Sequence, residues 1–162
     1  MIKLLTSLFL TSLLAGCAAT APPPQNFDRE VSKVYETPGV SAEEIFNESR
    51  IWIAENFISA KAVIEYEDKE NGILIGNGSV DYLCSGIECL ATENWKYQFT
   101  MRLDIKEDRF KTEFMNIRIL PASGSSVDIT TSGRMDRARA TLLTLSDLLY
   151  QHITSDNRSS DW

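Results

Sequence analysis

The chain predicts an α+β fold, an antiparallel sheet of about five strands with two helices on one face, in the order β-α-β-β-β-β-α. Three observations predict it. In "NWKYQFTMRLDIKED", Trp95, Tyr97, Phe99, Met101, Leu103 and Ile105 alternate strictly with Lys96, Gln98, Thr100, Arg102, Asp104 and Lys106, the period of a strand with one buried and one wet face. Met135, Ala138, Leu142, Leu145, Leu149 and Ile153 recur at helical spacing near the C-terminus. Ala42, Ile45, Phe46, Ser49, Trp52, Ile53 and Phe57 do the same near the other end, with Glu43, Asn47, Arg50 and Ala54 on the opposite side.

The first element is not part of that fold. Residues 1–16 read as a secretory signal, in which Lys3 is the only charge, Ile2 to Leu14 form an apolar run, and Ala15 and Gly16 precede Cys17. The run is shorter than the ~20 residues of a membrane span. Leu14-Ala15-Gly16-Cys17 resembles the lipobox of bacterial lipoproteins. That resemblance implies lipid on the Cys17 thiol, cleavage before it and acylation of the new amino terminus, as opposed to an ordinary signal with an incidental cysteine. Two or more acyl chains, at ~0.8 kcal/mol per buried CH₂, anchor a protein stably. Ala18 in the next position favours the outer membrane under enteric-type sorting. Residues 17–26, with Pro22–Pro24, then form a semi-rigid tether of under about 30 Å.

The domain spans 27–154. A first strand in "DREVSKVYETPG" alternates poorly and stops at Pro38-Gly39. Ser41 and Glu44 form a capping box that opens the first helix. "KAVIEYEDKENGILIGNGSVDYL" reads as a hairpin turning at Lys69–Gly72, and Gly76 and Gly78 in its second strand point to a bulge or a close approach. After the long alternating strand, a tight turn at Glu107-Asp108 leads into "RFKTEFMNIRIL". There Phe110, Thr112 and Phe114 share one phase and Met115, Ile117 and Ile119 the other, the slip a β-bulge produces. The loop "PASGSSVDITTSG" precedes the last helix, and residues 155–162 are a polar tail.

"VYETPGVSAEEIFNESRIWIAENFISAKAVIEYEDKENGILIGNG" and "FTMRLDIKEDRFKTEFMNI" resemble a family of bacterial envelope proteins described as a domain of unknown function with a TATA-box-binding-protein-like fold. The resemblance covers nearly the whole domain and implies that fold and a frequent lipoprotein context. It brings no activity and no catalytic residues. One departure is Glu107-Asp108, where the resemblance leads us to expect Asp-Gly.

Charge excludes the nucleic-acid reading that the fold's name invites. The chain carries a formal −7, which becomes −8 once residues 1–16, with one lysine and no acid, are removed. An acidic domain is repelled by nucleic acid and by anionic headgroups, so the membrane is reached through lipid on Cys17. Cys84 and Cys89 are the remaining thiols, and in an exported setting a structural disulfide is favoured over free thiols. A redox pair would want the C-x-x-C spacing, and zinc would want more ligands than two thiolates and the distant His152. His152 suits the C-terminal end of a helix dipole, and "EYEDKE" suits a solvated hairpin tip better than a calcium loop.

No catalytic residue, metal site or cofactor is expected. The expected role is a non-enzymatic interaction module of the cell envelope. It would present Lys96, Gln98, Thr100, Arg102, Asp104 and Lys106, or an edge strand, to an envelope protein. The alternative is a carrier with a void of ~300 Å³ or more for an apolar ligand between the sheet and the C-terminal helix.

Overall fold

The computed structural model describes residues 28–57 and 63–155; the expected signal, Cys17, the expected tether and residues 156–162 lie outside the described residues. The elements are β1 (Val31–Glu36), α1 (Ala42–Asn56), β2 (Val63–Asp68), β3 (Ile73–Asp81), a short 3₁₀ helix (Gly86–Leu90), β4 (Lys96–Lys106), β5 (Arg109–Leu120), β6 (Val127–Asp128) and α2 (Ser132–Thr154). The sheet runs β1-β5-β4-β3-β2, all pairs antiparallel, so β2 to β5 form a meander and the first strand closes the far side. The expected order holds. The 3₁₀ helix and the two-residue β6, which pairs with β5 beyond the end of β1, were not legible in the sequence.

Burial along β4 alternates without a break, with Tyr97, Phe99, Met101, Leu103 and Ile105 inside. The phase slip in β5 is real. Phe110, Thr112 and Phe114 are buried, then Ile117 and Ile119, and the register against β4 shifts between Gln98 and Thr100. Asn116 takes up the extra residue at φ +53°, a left-handed conformation that asparagine tolerates better than most side chains. In β3, Gly78 answers a close approach by rings in place of a backbone. A Cβ there would stand 2.8 Å from the Phe99 ring and 3.2 Å from Phe57. Gly76 lies opposite the register shift in β2 between Ile64 and Tyr66.

Ser41 caps α1 as expected, its hydroxyl accepting from the Glu44 N–H at 3.2 Å. The helix buries Ile45, Phe46, Ser49 and Trp52. In α2, Leu145 of the expected stripe is only half-buried and its neighbour Ser146 is fully buried. The hydroxyl is tolerated because it pairs with that of buried Thr112 at 2.9 Å and donates to the Leu142 carbonyl at 3.2 Å.

The Glu107-Asp108 turn is built differently from the Asp-Gly expectation. Asp108 sits at φ +62°, and its carboxylate accepts from the Gly39 N–H at 2.6 Å. Its backbone accepts from Thr37 at 2.7 Å and donates to Val40 at 3.2 Å. Glu107 accepts from the Ala42 N–H at 3.0 Å, satisfying an amide at the start of α1. Both side chains therefore hold the β1–α1 connection, a task that glycine could not share.

Candidate interaction surface

Six alternating side chains of β4 share the sheet face away from the helices, as their period requires. They are mostly half-buried, because the sheet's own polar groups cover one another. Arg102 lies opposite Glu113 and Asp104 opposite Lys111, a square of alternating charge. Within the strands, Arg102 donates to Asp104 at 2.7 Å and Lys111 to Glu113 at 2.7 Å. The hydrogen bond from Arg102 holds the Asp104 carboxyl below its usual range, and the one that Lys111 donates to Glu113 raises the pKa of the Lys111 ammonium. Thr100 donates to Asn77 at 2.8 Å, Ser126 donates to Gln98, and Lys96 lies 3.5 Å from Asp81. Lys106 stands at the other end, beside an open hollow of about 380 Å³ shared with Val34, Asp104, Arg109 and Lys111. The face is thus a polar surface on which Lys96, Arg102, Asp104, Lys111 and Glu113 pair with one another or with Asp81.

The second surface is one that the sequence reading did not find. Cys84 and Cys89 are bonded, with Cα atoms 5.1 Å apart, and the 3₁₀ helix lies within and just after the closed loop. Glu88, between the two cysteines, turns inward. It accepts from the Tyr82 hydroxyl at 2.8 Å and meets Arg137 at 3.1 Å and Arg134 at 3.6 Å, both from the first turns of α2. Beneath this clasp, burial pushes the Tyr97 phenol up to about 12. The clasp leaves the apolar side chains outside: Leu83 is 55% exposed, Ile87 86% and Leu90 83%. Alternation could not flag them, because a loop carries no period. The available signal was three large apolar residues set around a cysteine pair in a segment with one charge.

The inner face is filled by rings. Trp52 packs on Phe57, Phe57 on Phe99 and Phe99 on Phe114, while Tyr35 stacks on Phe110 and Tyr150. One apolar hollow there lies beside α1. It is lined by Ile53, Phe57, Leu74, Phe99 and Met101 and holds about 20 Å³, the space of one water.

Other candidates have local partners. His152 Nε2 lies 3.1 Å from the Glu48 carboxylate. At the hairpin tip, Asn71 donates to Asp68 from its backbone at 3.0 Å and its side chain at 2.8 Å. Lys69 pairs with Glu43 at 2.7 Å and Arg50 with Glu67 at 2.8 Å. Among the described residues no group of three His, Cys, Asp or Glu side chains could hold a metal ion, and no helix is long and apolar enough to cross a membrane.

Residues 32–119 match a family described as a domain of unknown function (DUF4468) with TBP-like fold, and the chain belongs to that family. Two solved structures are similar. A TBP-like protein from Parabacteroides distasonis shares 12% identity at a TM-score of 0.63, over 82% of this chain and 97% of that one. A DUF4468 family protein from Bacteroides ovatus shares 14% identity at a TM-score of 0.54, over 80% of this chain and 86% of that one. At such identities the likeness is one of fold. No curated protein matches.

Proposed function

We propose that this member of the DUF4468 family is a lipid-anchored protein of the cell envelope whose domain is a non-enzymatic interaction module. Lipid on Cys17 holds it to the membrane, the outer membrane by the Ala18 criterion, and residues 18–26 hold the domain close by. The observation that carries the module reading is the division of the sheet. Aromatic rings pack its inner face, where the hollow beside α1 holds about 20 Å³, while its outer face lies open with its charges fixed in register. Recognition then takes place on the outside, where Lys96, Gln98, Thr100, Arg102, Asp104 and Lys106 form one preorganised strip.

Fatty-acid labelling in cells tests the anchor. The full chain should incorporate an alkyne-tagged palmitate and sediment with membranes, and the Cys17→Ser chain should do neither. A photo-reactive side chain at Gln98 tests the face. It should yield one discrete protein adduct, and its absence under conditions that label the fatty acid would sink the module reading while sparing the anchor. Native mass spectrometry tests the apolar-ligand carrier. A small-molecule adduct lost on denaturation would replace the module with a carrier.

A further inference from the structure

Between Tyr82 and Thr92 the only charged residue is Glu88, and Arg134 and Arg137 hold its carboxylate inward. What the loop presents outward is Leu83, Ile87 and Leu90, on a backbone closed by the Cys84–Cys89 bond. Isolated exposed apolar side chains are ordinary; three on one cross-linked, charge-stripped loop are not.

The loop also lies where the chain enters the domain. It joins the end of β3 at Asp81 to the start of β4 at Lys96, and Lys96 pairs with Leu120 at the end of β5. β1 is antiparallel to β5 with Val31 opposite Phe114, so the residues before Val31 run toward that same end. Arg29 and Glu30 accordingly line a hollow with Arg118 and Asp128, and Arg139 of α2 donates to the carbonyls of Asp28 and Glu30. Ten residues separate Cys17 from Asp28, a reach of about 35 Å at full extension. The turn at Glu107-Asp108 stands farther off by the length of β4, about 35 Å.

We infer that the disulfide loop is a second membrane contact, in which Leu83, Ile87 and Leu90 enter the interfacial layer of the bilayer that holds the lipid on Cys17. This rests on the lipid-anchor reading. The domain's net charge gives it no general attraction to anionic headgroups, and Arg118, Arg134, Arg137 and Arg139 at this end face Asp128, Glu88 and backbone carbonyls. Residues 83–91 hold no cation, so the contact the loop itself offers is apolar, on a backbone that its cross-link orders in advance. The contact sets the domain upright. The loop end faces the bilayer, the outer sheet face stands along the membrane normal, and the Glu107-Asp108 turn points away.

The test uses the lipidated full chain in vesicles of phosphatidylethanolamine and phosphatidylglycerol with brominated acyl chains. Ile87→Trp is compared with Lys106→Trp, the wild-type signal from the native tryptophans being subtracted. Both positions are exposed, so both variants fold. The indole at position 87 should be quenched at least ~3-fold more than that at 106, and Leu83→Ser with Leu90→Ser should abolish the difference. If the chain floats with the vesicles and the indole at 87 is unquenched, the loop proposal falls and the anchor stands. If the full chain floats no better than Cys17→Ser, the anchor falls and the proposal with it. In cells, a photo-reactive side chain at position 87 should give a phospholipid adduct; a discrete protein adduct in its place would make the loop a protein-docking site and overturn the membrane contact.

Discussion

The two ends of the sheet are held by different means. At the Glu107-Asp108 end the connections are stitched by backbone amides and two carboxylates, and Gly72 lets the Lys69–Gly72 turn lie against the Ile105 carbonyl, which accepts no Cβ there. At the other end a covalent bond and one ionic clasp hold a loop whose apolar side chains remain in water. The first arrangement pairs the backbone amides of Thr37, Gly39, Ala42 and Asp108 that the turn brings together, which is what a structural end requires. The second spends a disulfide on keeping three hydrophobic residues outside, and stability alone gives no reason to do so.

Gly72→Ala should break the comparison most severely. Its Cβ would lie 2.2 Å from the Ile105 oxygen at φ +66°, so denaturant titration should show a loss of about 3 kcal/mol. Replacing both Cys84 and Cys89 with serine should cost about 2 kcal/mol, and hydrogen exchange should accelerate in residues 83–90 while the amides of β4 keep their protection. Glu88→Gln, which keeps the Tyr82 bond but loses the charge facing Arg134 and Arg137, should cost about 1 kcal/mol in the same titration. Asp108→Gly sharpens the opposite end. Relief of φ +62° and loss of the Gly39 bond oppose each other at about 1 kcal/mol apiece, so the net change should be within about 0.5 kcal/mol.

A carboxylate belonging to neither end gives the smallest effect. Hydrogen bonds from Lys33 at 2.6 Å and Tyr35 at 2.5 Å hold Asp147 below the usual carboxylate range. Its contribution is therefore present at neutral pH and lost as pH falls from about 4 through the lowered value. Asp147→Asn should flatten the acid limb of a stability–pH curve and leave both ends unchanged.

How much of this was legible follows from period. β4, β5 with its bulge, and both helices announce themselves because a face repeats, so the outer strip from Lys96 to Lys106 could be placed before any coordinates. The cysteine pair was legible from count and setting. Ser146 was missed because a serine in an apolar stripe reads as a lapse until Thr112 is found across from it. Leu83, Ile87 and Leu90 were missed because exposure in a loop is decided by where Glu88 turns, and that depends on two arginines some fifty residues away.

The placement of β1 has a consequence for the order of assembly. Emerging from the amino-terminal side, Val31 has no strand to join until Phe114 exists, whereas β2 through β5 meet their neighbours as each hairpin is completed. These local pairings favour a meander that forms first, with β1 as the closing stroke. Pulse-labelled exchange during refolding should protect β3, β4 and β5 before β1. The strand at the amino-terminal edge of the domain is then the last to become fixed, and it stays unpaired while the remainder of the domain takes shape.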